Sequence, residues 1–280
     1  MLQLSIKDLE KLNKMKIDER TEMWLMQVPL EIVLWRLFHN DMQAASNWVQ
    51  AVYHHPQMSS VIRQMDQLLD GLNLETLHSM LTIFERGGLV YGIKYATEWF
   101  WRSLMKSYGQ SYGLEILTIH EVDNQAAQIM LTMDAPMMAV HLLQDGELVE
   151  NQLVYRSDVC DTLSIREVLE CIAHETWHGS QAVSRAEMYR KHGRKGKIIL
   201  PADVKQADRA MLYTLNVAIH FDGMGGKTDY DCYRGQILER EAFTFESRLD
   251  KRLDALGVQA EELVWRLNTR VSNVRVGSPA

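Results

Sequence analysis

The chain has 280 residues, a formal net charge of -7 and a composition that is 46% hydrophobic and 24% charged. These values are typical of a folded globular protein and exclude global disorder, and the length fits one large domain or two smaller ones. Because the acidic balance leaves no sequence-wide basic surface, we do not expect nucleic acid as a partner.

Cysteine usage and apolar runs indicate where the chain resides. The three cysteines, Cys160, Cys171 and Cys232, include no pair with disulfide or metal spacing, which favours a reducing setting. Acidic residues interrupt the first ten positions, so no export signal is predicted. Charged residues also break the most apolar stretch, residues 23–38, which we interpret as a buried helix. We expect a cytoplasmic protein without membrane contact.

Residues 5–108 are predicted to form a multi-helix bundle, because apolar residues recur there at three- and four-residue intervals. The breaks between helices are predicted at Pro29, His55-Pro56, Asp70-Gly71 and Gly87-Gly88. After residue 108 the helical spacing of apolar residues gives way to segments of strand-like composition. We therefore divide the chain into a helical N-terminal region, residues 1–108, and a second region, residues 109–280.

The second region begins with strand-like segments. They are residues 114–119, 128–133, 137–143 and 148–155, and a turn signal at residues 144–147 separates the last two. A small, mostly antiparallel sheet is the simplest interpretation. The predicted fold class is therefore α+β and mainly helical.

A helix is predicted to begin at a capping box formed by Ser164 and Glu167. Apolar residues at helical spacing extend it past His178 to at least Ala182. The sequence after this helix contains a basic segment with two glycines, residues 190–197, which we interpret as a loop or a frayed helix end.

Two more helices are predicted towards the C-terminus. The first covers residues 202–220 and precedes a glycine-rich turn at residues 222–227. The second begins near Tyr233 and continues almost to the C-terminus, with a break at Gly257.

The predicted helix after the capping box contains the motif HExxH at residues 174–178. Residues four apart lie on one helical face, so His174 and His178 can both direct an imidazole nitrogen at one metal ion. Glu175 lies beside them, where a carboxylate can deprotonate water. This layout is typical of zinc hydrolases. Trp177 occupies a variable position of the motif and is predicted to pack in the core.

A catalytic zinc ion normally takes three protein ligands, so a third must come from elsewhere. The metzincin pattern requires glycine and histidine where this chain has Gln181 and Ser184, and the inverted motif HxxEH is absent. The remaining common solution is a carboxylate on a second helix. Residues 233–246 offer three candidates, Glu239, Glu241 and Glu246.

Residues 174–181 (HETWHGSQ) and 239–242 (EREA) together resemble the HExxHxxQ … ExEA pattern of small bacterial and phage-type zincin peptidases, which are gluzincin-like. The resemblance implies Zn²⁺ as the cofactor and a peptide or protein as the substrate. It also implies a small sheet followed by the motif helix and a glutamate helix. The glutamate directly before alanine, Glu241, is the implied third ligand, with Glu239 as the second choice.

Two supporting roles are predicted. An oxyanion in the transition state needs a hydrogen-bond donor, for which Tyr233 is the first candidate, with Tyr230 and His220 as others. Gln181 could orient a metal ligand or the substrate through a hydrogen bond.

The sequence therefore predicts a zinc metallopeptidase with Glu175 as the general base. Two alternatives stay open. Two histidines and a carboxylate also form the iron site of non-haem oxygenases. A catalytically inactive zincin that serves as a binding or regulatory module would carry the same residues.

Overall fold

The computed structural model of the protein describes residues 2–5, 43, 47, 51–52, 59–108, 111–122, 135–144, 146–192, 197–200, 209–218 and 233–257. The fold is α+β and mainly helical, which confirms the predicted class. Several predicted features lie outside the described residues: the breaks at Pro29 and His55-Pro56, the strand over residues 128–133, the turn over residues 222–227, and the side chains of Tyr230 and His220.

The helices are α1 (Ser59–Asp70), α2 (Leu74–Gly87), α3 (Leu89–Met105), α4 (Ser157–Cys160), α5 (Ile165–His192), α6 (Arg209–Ala218) and α7 (Ile237–Ala255). The strands are β1 (Leu2–Ser5), β2 (Glu115–Thr118), β3 (Met137–Gln144), β4 (Glu147–Tyr155) and β5 (Lys197–Leu200), and a 3-10 helix covers Ile119–Glu121.

Helices α2 and α3 form a close pair. The side chain of Asn73 caps α2 by accepting a hydrogen bond from the backbone N–H of Thr76 at 2.9 Å. Gly88 separates the two helices with a φ of +82°, a conformation that favours glycine, which confirms the predicted break. Gly92 lets α3 approach α2, because a Cβ there would lie 2.1 Å from the Phe84 ring.

The three-stranded sheet has the order β2-β4-β3. Strand β2 runs parallel to β4, with Glu115 opposite Gln152 and Thr118 opposite Tyr155. The sheet is therefore mixed, and the prediction of a mostly antiparallel sheet missed this parallel pair. The turn between β3 and β4 contains Gly146, whose φ is +87°. Strands β1 and β5 form a separate antiparallel pair.

The predicted capping box begins α5. The backbone N–H of Ser164 donates to the Glu167 carboxylate at 2.7 Å, and the Ser164 hydroxyl accepts from the backbone N–H of Glu167 at 3.2 Å. The helix runs to His192, well past the predicted minimum. The basic segment predicted as a loop or a frayed helix end, residues 190–197, begins within the last turn of α5 and ends at the first residue of β5.

Helix α7 carries the second part of the predicted motif. It begins at Ile237, directly after a short helical turn at residues 233–235. Its buried stripe consists of Leu238, Ala242, Phe245, Leu249 and Leu253. Gly257 follows the helix with a φ of +75°, as expected of a predicted break.

The chain divides into two compact units. The first comprises the described parts of Met1–Gln57, Leu142–Val149 and Gln181–Glu241. The second comprises the described parts of Met58–His141, Glu150–Ser180 and Ala242–Ala280. The predicted boundary after residue 108 stays a prediction. None of the described helices is both long enough and apolar enough to span a membrane.

Candidate metal centre

Helix α5 places the two motif histidines side by side. Their Nε2 atoms lie 3.1 Å apart. Two ligand nitrogens of a tetrahedral zinc ion, each roughly 2.0–2.1 Å from the metal, would be separated by about 3.3 Å. The ring nitrogens of His174 and His178 therefore already have the spacing of two ligands of one ion. His174 is buried, and His178 is half-buried.

The carboxylate of Glu239 completes a group that could hold a metal ion. One oxygen of Glu239 and one ring nitrogen each of His174 and His178 all lie within 4.8 Å of one another. Two imidazoles and a carboxylate are a common ligand set that leaves positions open for water or substrate. Glu239 was the second choice from the sequence, behind Glu241.

Glu241 is engaged elsewhere. Its carboxylate accepts hydrogen bonds from Arg209 Nε at 3.0 Å, from the Tyr213 hydroxyl and from Gln181 Nε2 at 3.3 Å. Residues two apart on a helix point about 200° apart, so Glu239 and Glu241 face different neighbours. The structure thus groups Glu239 with the histidines, and it pairs Glu241 with an arginine, which satisfies its buried charge.

Glu246 supports the first histidine. Its Oε2 lies 3.1 Å from Nδ1 of His174, so that Nε2 of the same ring remains on the side of His178. The ring of Phe243 packs edge-on against His174, with centroids 4.6 Å apart. A carboxylate on the outer ring nitrogen fixes the tautomer and orientation of a ligating histidine. The sequence named Glu246 as a candidate ligand but missed this role.

The carboxylate of Glu175 reaches the sheet. Its Oε2 accepts a hydrogen bond from the backbone N–H of Ala139 in β3 at 2.7 Å. Burial, followed by the nearby charge of Glu175, raises the pKa of the Cys171 thiol far above its usual range.

Residues from α5 and α6 fix the first turn of α7. Gln181 is buried and donates to the backbone oxygen of Leu238 at 3.0 Å. The side-chain oxygen of Asn216 accepts from the backbone N–H of Leu238 at 3.0 Å, and its amide nitrogen donates to Gln236 at 2.8 Å. These bonds hold the residue next to Glu239. Asn216 carried no sequence signal, since its partners lie about 20 residues away.

The structure tests the predicted core position of Trp177 but not the predicted role of Tyr233. Trp177 is 1% exposed and packs against Phe245 with ring centroids 4.9 Å apart, which confirms its place in the core. The backbone oxygen of Tyr233 accepts from the backbone N–H of Gln236 at 3.2 Å. The role of the Tyr233 hydroxyl as an oxyanion donor stays a prediction.

Comparison with protein-family models, curated proteins and solved structures finds no match to this chain. The resemblance to zincin peptidases therefore rests on the motif residues alone, and the activity stays a prediction.

Proposed function

We propose that this chain is a zinc-dependent metallopeptidase that hydrolyses peptide or related amide bonds, with Glu175 as the general base. One observation carries the proposal: a carboxylate that is not needed as a ligand stands next to a buried group of two histidines and Glu239. A binding site for a structural metal ion does not require such a base.

The donor set fits zinc. His174 and His178 would bind through Nε2 and Glu239 through a carboxylate oxygen, and Glu246 would keep Nδ1 of His174 protonated. A bound zinc ion would polarise the substrate carbonyl and lower the pKa of coordinated water to about 7.

The residues of the chain would then move the proton. Glu175 accepts it from the attacking water and delivers it to the leaving nitrogen, as a general base that later acts as a general acid. The hydrogen bond from the backbone N–H of Ala139 keeps one oxygen of Glu175 in place.

The position of β3 favours an extended peptide as the substrate. Among the described residues, β3 is at the edge of its sheet, and its Ala139 amide contacts the catalytic carboxylate. An edge strand offers backbone groups with which an extended chain can pair.

The test combines metal analysis with peptidase assays of wild type and Glu175→Gln. We expect one equivalent of zinc in both, and a loss of about 10²- to 10⁴-fold in kcat in the variant, because a general base contributes that much. Glu98→Gln, at a 54% exposed side chain on α3, is the matched control. Stoichiometric iron with oxygen-dependent turnover would favour an oxygenase, and full activity in Glu175→Gln would contradict the proposal.

A further inference from the structure

Helix α7 begins with a residue that makes a poor N-cap. The backbone oxygen of Gln236 accepts the first intrahelical hydrogen bond, from the backbone N–H of Arg240 at 2.8 Å, so Gln236 occupies the N-cap position. Serine, threonine, asparagine and aspartate are preferred there, because their short side chains accept a hydrogen bond from a backbone N–H of the first turn. The start of α7 therefore needs an acceptor from elsewhere.

Asn216 on α6 supplies this acceptor. Its Oδ1 accepts a hydrogen bond at 3.0 Å from the backbone N–H of Leu238, the second residue of α7, which is the bond that an N-cap side chain normally makes. Its Nδ2 donates to Oε1 of Gln236 at 2.8 Å. Asn216 and Gln236 are both 0% exposed, so water does not replace these bonds when they are lost.

An asparagine suits both partners at once. A backbone N–H can only donate, so the oxygen of the Asn216 amide must face Leu238, and the nitrogen is left to donate to Gln236. Gln181 on α5 holds the other side of the same residue, since its Nε2 donates to the backbone oxygen of Leu238 at 3.0 Å. All four residues belong to the first compact unit. Side chains of two other helices thus fix the backbone of Leu238.

We propose that Asn216 is a positioning residue for the metal ligand Glu239. Glu239 follows Leu238 directly, is 4% exposed and belongs to the group with His174 and His178. Fraying of the first turn of α7 would displace its carboxylate, whereas a metal ligand has to stay within roughly 0.5 Å of its productive place. This inference rests on the zinc site of the proposed function and adds the residue that fixes its carboxylate.

The first experiment measures the zinc affinity of the full chain by competition with a chelator. We expect Asn216→Leu, which removes the acceptor at similar volume, to weaken zinc binding by roughly tenfold or more, as loss of a partner behind a ligand does. Asn216→Asp keeps an acceptor for the Leu238 N–H and should bind zinc more tightly than Asn216→Leu. Thr214→Val is the matched control, because Thr214 is buried on the same helix and its hydroxyl donates within α6, to the backbone oxygen of Ala210 at 2.8 Å. It should bind zinc like wild type.

The second experiment moves the acceptor onto α7 itself. Gln236→Asn places a preferred N-cap residue at the start of the helix. Combined with Asn216→Leu, it should restore zinc affinity and raise the urea midpoint of the zinc-free protein above that of Asn216→Leu alone. A residue that only fills space on α6 would not be replaceable from another helix. If Asn216→Leu alone does not fold, the double variant carries the test, since it is expected both to fold and to bind zinc.

Three results would overturn the proposal. Wild-type zinc affinity in folded Asn216→Leu would show that Glu239 keeps its place without this bond. An equal loss of affinity in Thr214→Val would assign the effect to α6 as a whole. A double variant that fails to fold, or that binds zinc as weakly as Asn216→Leu, would show that the acceptor is not what the site needs.

Neither experiment depends on cleavage of a peptide. A wild type that binds zinc and loses affinity in Asn216→Leu, but shows no peptidase activity, would end the proposed function and leave this inference standing. A wild type that binds no zinc would end both.

Discussion

Glu246 and His174 form a carboxylate–imidazole pair, with Oε2 of the glutamate 3.1 Å from Nδ1 of the histidine. The other nitrogen of the ring lies 3.1 Å from Nε2 of His178. Helix α7 thus contributes twice to the candidate metal centre, through Glu239 and, seven residues later on nearly the same helical face, through Glu246. The pairing predicts that metal affinity depends on a residue that does not touch the metal.

Removal of the Glu246 carboxylate should weaken metal binding. We expect Glu246→Ala to lower zinc affinity by roughly 10- to 100-fold, because such outer partners orient the ligand and raise its basicity. Glu246→Gln keeps an acceptor for the imidazole N–H and should lose less. Competition titrations against a zinc chelator measure the change, with Glu98→Gln as the control. Wild-type affinity in Glu246→Ala would contradict the prediction.

Substitution of Glu239 should affect zinc binding, whereas substitution of Glu241 should affect stability. Glu239→Gln is expected to abolish stoichiometric zinc binding with little loss of fold, because it removes a charged ligand oxygen. Glu241→Ala should retain zinc but lower the free energy of unfolding by about 3–5 kcal/mol, since it strands the charge of Arg209. Zinc analysis and urea denaturation read the two effects separately.

A double variant controls for the second effect. Because Arg209→Met removes the stranded cation, adding it to Glu241→Ala should restore part of the lost stability. Loss of zinc from Glu241→Ala together with retention in Glu239→Gln would instead return the ligand role to Glu241.

The sequence predicted the histidine pair and its helix because both depend on short spacings. The capping box at Ser164 and the four-residue interval between the histidines are local signals. The choice between Glu239 and Glu241 is not local, because it depends on which neighbour each side chain meets. The deciding residue is Arg209, some 30 residues away, whose charge takes Glu241.

The sequence did not predict the parallel pairing of β2 with β4 for a similar reason, because this pairing also depends on contacts between segments that are distant in sequence. The parallel partner of β2 is β4, and β3 lies between them in sequence. Alternation of apolar residues identifies a strand but contains no information on the direction of its neighbour. The fold class followed from composition and periodicity, whereas the sheet order required the packed structure.

Stability should fall as the pH rises towards neutrality because of Glu170. Burial, and then a hydrogen bond to Asp250, raise the pKa of Glu170 from its ordinary value of 4.5 to about 7. The folded state therefore holds this proton more tightly than the unfolded state. Its contribution is fully present below pH 4.5 and is lost as the pH rises through about 7.

Glu170→Gln tests this dependence. The glutamine cannot ionise, so the variant should show a flatter profile of unfolding free energy between pH 5 and pH 8, measured by urea denaturation. It should be more stable than wild type at pH 8. Identical slopes in wild type and Glu170→Gln would contradict the assignment, and Glu98→Gln should follow wild type throughout.

Gly179 should tolerate no larger residue, although it lies inside a helix where alanine is normally favoured. A Cβ at Gly179 would lie 2.8 Å from Cζ3 of Trp101, a buried ring whose Nε1 donates to the backbone oxygen of Tyr112 at 2.7 Å. That bond restrains the ring, so we expect Gly179→Ala to lower the free energy of unfolding by about 1–3 kcal/mol through overpacking. Zinc affinity should fall as well, because His178 is the preceding residue.

Gly113→Ala, where an added Cβ meets nothing within 4 Å, is the matched control. Urea denaturation and zinc titration of both variants decide the matter, and equal behaviour of the two would show that Trp101 yields to the added methyl group.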